Sequence, residues 1–237
     1  MQASHGQKRL MEIFRPDVPE LPSLLATFYR SWERAFDNPS AYGIEPLRET
    51  PLGEDTPDEK LFVDVSPGMV LPSILQQPTD AVYNLLVQLA KLISAKSGET
   101  DSTPLARFGD LVDWESGPIM RVTHYPGHSD VVNAPHSDIN IFTLLPAAST
   151  LGLEILVDDA WVSAPTDACD ILILMGELAS ELDGTHADIH RVIGTGRQRL
   201  SISLFVNARP NIILPTGRTA GDLLQERIHA LAQTKSN

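Results

Sequence analysis

Between Ile119 and Asn207 the chain is a series of short β-rich runs, each closed by turn residues. Nothing else in the sequence limits the fold as much. The runs are IMRVTHYP, INIFTLLP, LEILV, WVSAP, ILILMG, IHRVIG and RLSISLFVN. Short strands at such spacing argue for an antiparallel sandwich or barrel. Before about Leu105 the texture is helix plus loop. In LPSLLATFYRSWERAF (Leu21–Phe36), Leu24, Leu25, Phe28, Trp32 and Phe36 fall at helical spacing. PTDAVYNLLVQLAKLISAKSG (Pro78–Gly98) reads as a second helix. Thr79 or Asp80 would cap it, Val82, Leu85, Leu86, Leu89, Leu92 and Ile93 would form its apolar stripe, and Gly98 would close it. The Pro- and charge-rich GIEPLRETPLGEDTPDEK between them reads as a surface loop, and AGDLLQERIHALAQ (Ala220–Gln233) as a C-terminal amphipathic helix. The expected fold class is α+β to mainly β. One domain over residues 1–237 is expected: a helical support (1–104), a β core (105–215) and a C-terminal helix (216–237).

Charge and cysteine usage narrow the partners. The formal net charge is -13 and the sequence pI about 4.8. Such a surface repels phosphate backbones and anionic lipid heads, so neither nucleic acid nor membrane is expected as a partner. Cys169 is the single cysteine, which excludes an internal disulfide. MQASHGQKRLMEIFRPD lacks the apolar run of a signal peptide, and no window approaches a membrane span. A cytoplasmic monomer or weak homo-oligomer acting on a small molecule is expected.

The chemistry starts at NAPHSDINIFTLLP, Asn133 to Pro146. Read as a strand, it points His136 and Asp138 to one face, because residues i and i+2 share a face. An imidazole beside a carboxylate offers two ligands to a borderline transition metal. The third must come from His5, His124, His128, His186, His190 or His229. DIHRVIGTGRQRLSIS singles out His190, which opens a short β run. Further on, Arg199 and Ser201 again stand at i and i+2. A guanidinium and a hydroxyl on an interior strand face make a good carboxylate clamp. A buried Arg without an anion is costly, so the pair expects an acidic ligand. Two His and one carboxylate leave metal positions open, the arrangement of non-haem Fe(II) oxygenases.

The order His-x-Asp, then His-Arg-Val, then Arg-x-Ser resembles the Fe(II)/2-oxoglutarate-dependent dioxygenase superfamily, within it the isopenicillin-N-synthase-like branch. MRVTHYPG, HSDINIFTLLP, GLEILVDDAWVSAP and DILILMGELASELDGTHADIHRV each resemble a segment of that family, and the likeness runs from about Ile119 to Asn207. It implies a double-stranded β-helix, or jelly roll, with helices outside. It implies a facial triad of His136, Asp138 and His190 for Fe(II), and 2-oxoglutarate held by Arg199 and Ser201 with Tyr125 nearby. Thr123 stands where the family usually has Asn, and MGEL replaces its Gly-Asp-x-Leu. The implied reaction consumes O2 and 2-oxoglutarate and releases succinate and CO2, with ascorbate as a supporting reductant. Its implied substrate is an amino-acid derivative or a secondary-metabolite intermediate, and its implied outcome is hydroxylation. Asp138 argues against halide chemistry, because halogenases of the superfamily have Gly or Ala there. Two alternatives remain: an isopenicillin-N-synthase-like oxidase without 2-oxoglutarate, and a non-catalytic metal- or ligand-binding jelly roll.

Other positions carry weaker expectations. Asn140, Phe142 and Phe205 share strand parity with the site and are candidates for the substrate wall. His124 should face away from the metal, His128 should be solvated, and His186 should sit at the surface or pocket edge. Trp161 reads as structural, and Cys169 as a small core residue. Arg191 and Arg209 read as ordinary surface arginines.

Overall fold

The computed structural model describes residues 12–49, 60–95, 105–127, 131–165 and 167–233. In chain order its strands and helices are β1 (Glu12–Phe14), α1 (Leu21–Asp37), β2 (Leu47–Glu49), β3 (Lys60–Val65), α2 (Ser73–Ser94), β4 (Ile119–Tyr125), β5 (Val131–His136), β6 (Phe142–Pro146), β7 (Leu153–Val157), β8 (Ala160–Ser163), β9 (Ile171–Met175), α3 (Glu177–Asp183), β10 (His190–Ile193), β11 (Arg199–Val206) and α4 (Ala220–Gln233). The strands form two antiparallel sheets. The larger runs β1-β9-β6-β11-β4-β3-β2 and the smaller β5-β10-β7-β8. Small apolar clusters join them: Tyr125 of β4 meets Val132 and Val192, and Ile155 of β7 meets Leu172 and Leu174 of β9. The sheets thus face each other as a jelly roll.

Strand β11 shows how the sequence divides the two faces of the large sheet. Leu200, Ile202, Leu204 and Val206 enter the main core, with Met120 and Val122 of β4 and with Leu21, Phe28, Trp32, Leu75, Leu86 and Ile93 of the helices. The alternate residues, Arg199, Ser201, Ser203 and Phe205, turn to the small sheet, as a period of two demands. Helices α1 and α2 therefore cover the outer face and leave the inner one for chemistry. Trp32 secures the helix pair by donating its indole N–H to Thr79 Oγ1 at 3.0 Å. No helix among the described residues is long and apolar enough to cross a membrane.

Several expectations need correction. Helix α2 begins at Ser73, five residues before Pro78, which lies inside the helix. Pro78 lacks an N–H, so one helical bond is missing there, and neighbouring packing carries the turn through. Thr79 is therefore no cap; it is wholly buried as the acceptor for Trp32. Leu92 is 64% exposed and leaves the stripe, whereas Leu75 and Ala90 join it. The helix stops at Ser94, and Gly98 lies outside the described residues. The segment read as one loop contains β2 and the first residue of β3. The segment read as one strand from Asn133 to Pro146 is divided between β5, which ends at His136, and β6, which starts at Phe142; Pro135 is tolerated because β5 is an edge strand. Cys169 is half-buried in the turn before β9, not in the core. Helices α1 and α4 lie where the periodicity put them.

Candidate metal and 2-oxo-acid site

Three side chains meet at one end of the sandwich. His136, Asp138 and His190 each bring a ligand atom within 4.8 Å of the others. His136 closes β5, His190 opens β10, and the two are direct cross-strand partners. Their rings are 4.2 Å apart, centroid to centroid. Asp138 arrives differently from the strand reading. It lies past the end of β5, in the crossing from the small sheet to the large one. Alternation on one strand is not what aligns it with His136. The crossing is held by the start of α3: Glu177 N–H donates to Asp138 O at 2.8 Å and Gly176 N–H to Ile141 O at 2.9 Å. The first N–H groups of a helix lack internal partners, and the metal loop supplies acceptors for them.

Each ligand is oriented by a second contact. His136 Nδ1 lies 2.8 Å from Ala134 O, and His190 Nδ1 lies 3.1 Å from Asp188 O. Both carbonyls can only accept, so Nδ1 carries the proton and Nε2 keeps its lone pair for a metal. Asp138 Oδ1 lies 3.9 Å from His190 Nε2, while Oδ2 accepts from Thr143 Oγ1 at 2.5 Å. Burial, then the neighbouring His190, pushes the His136 pKa down to about 4. At neutral pH His136 is therefore an unprotonated ligand.

On the inner face of the large sheet lies a second constellation. Arg199 pairs in register with Tyr125, and Ser201 with Thr123. All four are at most 5% exposed. The guanidinium stands 5.2 Å from the Tyr125 ring centre. Two of its nitrogens, Nε and Nη1, are buried with no hydrogen-bond partner. A buried cation in this state calls for an anion, and its fork geometry suits a carboxylate. A cavity lined by Leu145, Leu153, Ala164 and Leu172 reaches both Arg199 and Ser201.

The remaining candidates fall elsewhere. His124 lies on the opposite face of β4 and stacks on Phe36 at 5.1 Å. His186 is exposed between α3 and β10, and His229 is exposed on α4. His5 and His128 lie outside the described residues. Asn140 is 3% exposed, with its amide spent on Phe142 O and Thr143 Oγ1. Phe142 is wholly buried in the main core. Phe205 is half-buried, 5.5 Å from the Arg121 guanidinium. Arg191 pairs with Glu154 at 2.7 Å and stacks 4.1 Å over Trp161; Arg209 is exposed.

Some participants were not visible in the sequence. Thr143 sits in an apolar run and reads as a strand filler. Lys60 is 8% exposed and donates to Asn133 Oδ1 at 2.6 Å, bridging the sheets, and its charge is felt at His136. Arg121 pairs with Asp64 at 2.7 and 2.9 Å and lies 3.9 Å over Phe62. The alternation of KLFVDV is broken by Phe62, so the sequence offers only a weak signal for Lys60, Phe62 and Asp64. Glu177, the departure in MGEL, accepts from Ser137 Oγ at 2.9 Å and pairs with Arg227 of α4 at 2.8 Å. Its longer arm ties the metal loop to the C-terminal helix.

Residues 116–208 match the model of the 2OG-Fe(II) oxygenase superfamily. This segment belongs to that superfamily. Gibberellin 20 oxidase 3 of Oryza sativa subsp. japonica is 28% identical over 149 residues, 57% of this chain and 39% of the relative. Isopenicillin N synthase of Streptomyces microflavus is 31% identical over 111 residues, 40% of this chain and 33% of the relative. The matches thus span well under half the length of these curated relatives. Among solved structures, a provisionally named oxygenase from Shewanella oneidensis aligns with TM-score 0.73 and 24% identity, over 94% of this chain and 90% of its own. JOX2, solved in complex with 2OG, Fe and JA, aligns with TM-score 0.67 and 18% identity, over 88% of this chain and 74% of its own. At these identities the likeness establishes the fold: the superfamily's double-stranded β-helix.

Proposed function

We propose that this chain is a non-haem Fe(II)- and 2-oxoglutarate-dependent oxygenase that hydroxylates a small molecule, an amino-acid derivative or a secondary-metabolite intermediate. One observation carries the reading. A buried arginine with unpartnered nitrogens shares the sandwich interior with an oriented His-Asp-His cluster. The residues fit both groups: nitrogen and carboxylate donors with open positions suit Fe(II), and the Arg-Ser pair suits a distal carboxylate. When bound, Fe(II) and the 2-oxo acid supply O2 activation coupled to decarboxylation, giving succinate and CO2.

The protein's own part is positional. His136, Asp138 and His190 would hold the metal. Arg199 and Ser201 would fix the far end of the 2-oxo acid, with Tyr125 and Thr123 beside them. Tyr125, Val132 and Val192 keep water from the clamp. The substrate would approach over the more open row of the same face. There Asp64, Arg121 and Ser203 are neighbours in register, flanked by Phe62 and Phe205. The Arg121 and Asp64 side chains are 28% and 37% exposed, so solvent reaches this row and not the clamp.

Anaerobic titration with Fe(II) and 2-oxoglutarate tests the reading. A visible charge-transfer band is expected. Arg199→Met should weaken 2-oxoglutarate about a hundredfold, since two charge-assisted hydrogen bonds at ~1.5 kcal/mol each are lost. Wild-type protein without a band refutes the reading. Turnover without succinate, in a screen of amino-acid derivatives, would instead assign Arg199 to the substrate's own carboxylate.

A further inference from the structure

We infer that Thr143, oriented by Asn140, holds Asp138 to ligation through a single oxygen and so preserves an open metal position. The inference rests on the proposed metal site. The hydrogen-bond polarity follows from the inventory of donors. Phe142 O can only accept, so the Asn140 atom 3.1 Å from it is the amide nitrogen. That same nitrogen donates to Thr143 Oγ1 at 2.9 Å. The hydroxyl therefore turns its own proton elsewhere, and Asp138 Oδ2 receives it at 2.5 Å. Thr143 is wholly buried, so water does not compete, and its β-branch restricts χ1.

The two oxygens of Asp138 are thus inequivalent. Oδ1 is the one turned to His190 Nε2, and Oδ2 is engaged by Thr143. A six-coordinate ion with two imidazoles and one carboxylate oxygen keeps three positions. If the carboxylate gave both oxygens, two would remain, and a chelating 2-oxo acid would fill them. The loop is built to hold this relay. A Cβ at Gly176 would lie 2.0 Å from Asn140 O and 2.5 Å from Asn140 Oδ1. Asn140 thereby has a positioning role in place of a substrate contact.

Thr143→Val keeps the shape and removes the hydroxyl; Thr143→Ser keeps the hydroxyl. Both are loaded anaerobically with Fe(II), and separately with Co(II), whose visible spectrum reports the ligand set; nitric oxide, a stand-in for O2, probes the open position. For Thr143→Val we expect Fe(II) and 2-oxoglutarate affinities within threefold of wild type, a Co(II) spectrum changed by exchange of a water for the second carboxylate oxygen, and nitric oxide bound at least tenfold more weakly by the Fe(II)–2-oxoglutarate complex. Thr143→Ser should restore the Co(II) spectrum and bring nitric oxide affinity back to within threefold. If the Val variant does not fold, Thr143→Ala is read in the same way. An unchanged Co(II) spectrum and unchanged nitric oxide affinity in the hydroxyl-less variant would overturn the inference. So would equal loss of metal in the Val and Ser variants, which marks a packing role. Wild-type protein that binds Co(II) but gives no 2-oxoglutarate band refutes the co-substrate reading alone, and the Co(II) comparison still decides the relay.

Discussion

At the scale of single residues, the site is a set of groups whose surroundings decide their state. His136 is buried and kept neutral, and burial also lowers the pKa of His124 behind β4. Each folded-state pKa lies below that of an unfolded histidine, so between the two values the unfolded chain binds more protons. Stability from these groups is complete above about pH 6.5 and is lost as pH falls toward about 4, the folded value for His136. The metal-free protein should therefore show a denaturation midpoint that drops across this window. His136→Gln should flatten the drop, leaving the share due to His124. A midpoint that rises on acidification would contradict the assignment. Arg199 shows the complementary case: burial lowers its pKa, yet a guanidinium stays charged and waits for its anion.

At the scale of elements, the deciding piece is the crossing from β5 to β6, clamped by the first turn of α3. Gly176 is required here for space and not for backbone freedom, since its φ is -96°. Gly176→Ala forces a methyl against Asn140 O. Overpacking of this kind costs about 1–3 kcal/mol. A chemical denaturation curve should register that loss, together with weaker Fe(II) binding, because the loop carrying Asp138 must move. An alanine variant with wild-type stability and metal affinity would show that the loop adapts freely. The start of α2 teaches a related lesson. A proline looks like a helix start in sequence, but Trp32 of α1 needs Thr79 as a buried acceptor, and that packing keeps the helix going through Pro78.

At the scale of the whole molecule, the main apolar cluster runs without a break from α1 and α2 through β4, β11, β6 and β9 to α3 and α4. The helices are the second wall of the sheet's core. We therefore expect one cooperative unfolding transition, with tryptophan fluorescence and far-ultraviolet circular dichroism coinciding. Phe28→Ala, in the centre of the helix–sheet interface, should cost about 3–5 kcal/mol and lower both signals together. Separate midpoints would divide the helical support from the β core.

Local order alone was enough for much of this protein. The strand runs after Ile119, the periodicity of α1 and α4, and the pairing of Arg199 with Ser201 on one strand face express short-range rules, alternation and helical spacing, that a single segment carries, while the order of His136, Asp138 and His190 was legible through the family resemblance. What only the tertiary structure decided depends on partners distant in the chain. Asp138 joins His136 because a loop is pinned by α3, not because one strand bears both. Asn140 donates to Thr143, and Thr143 in turn meets Asp138, a residue of the pinned loop. Lys60 and Arg121 enter the sandwich because β3 pairs with β4. Hydrogen-bond polarity and burial belong to three-dimensional neighbourhoods, and the sequence alone does not show which neighbours will meet.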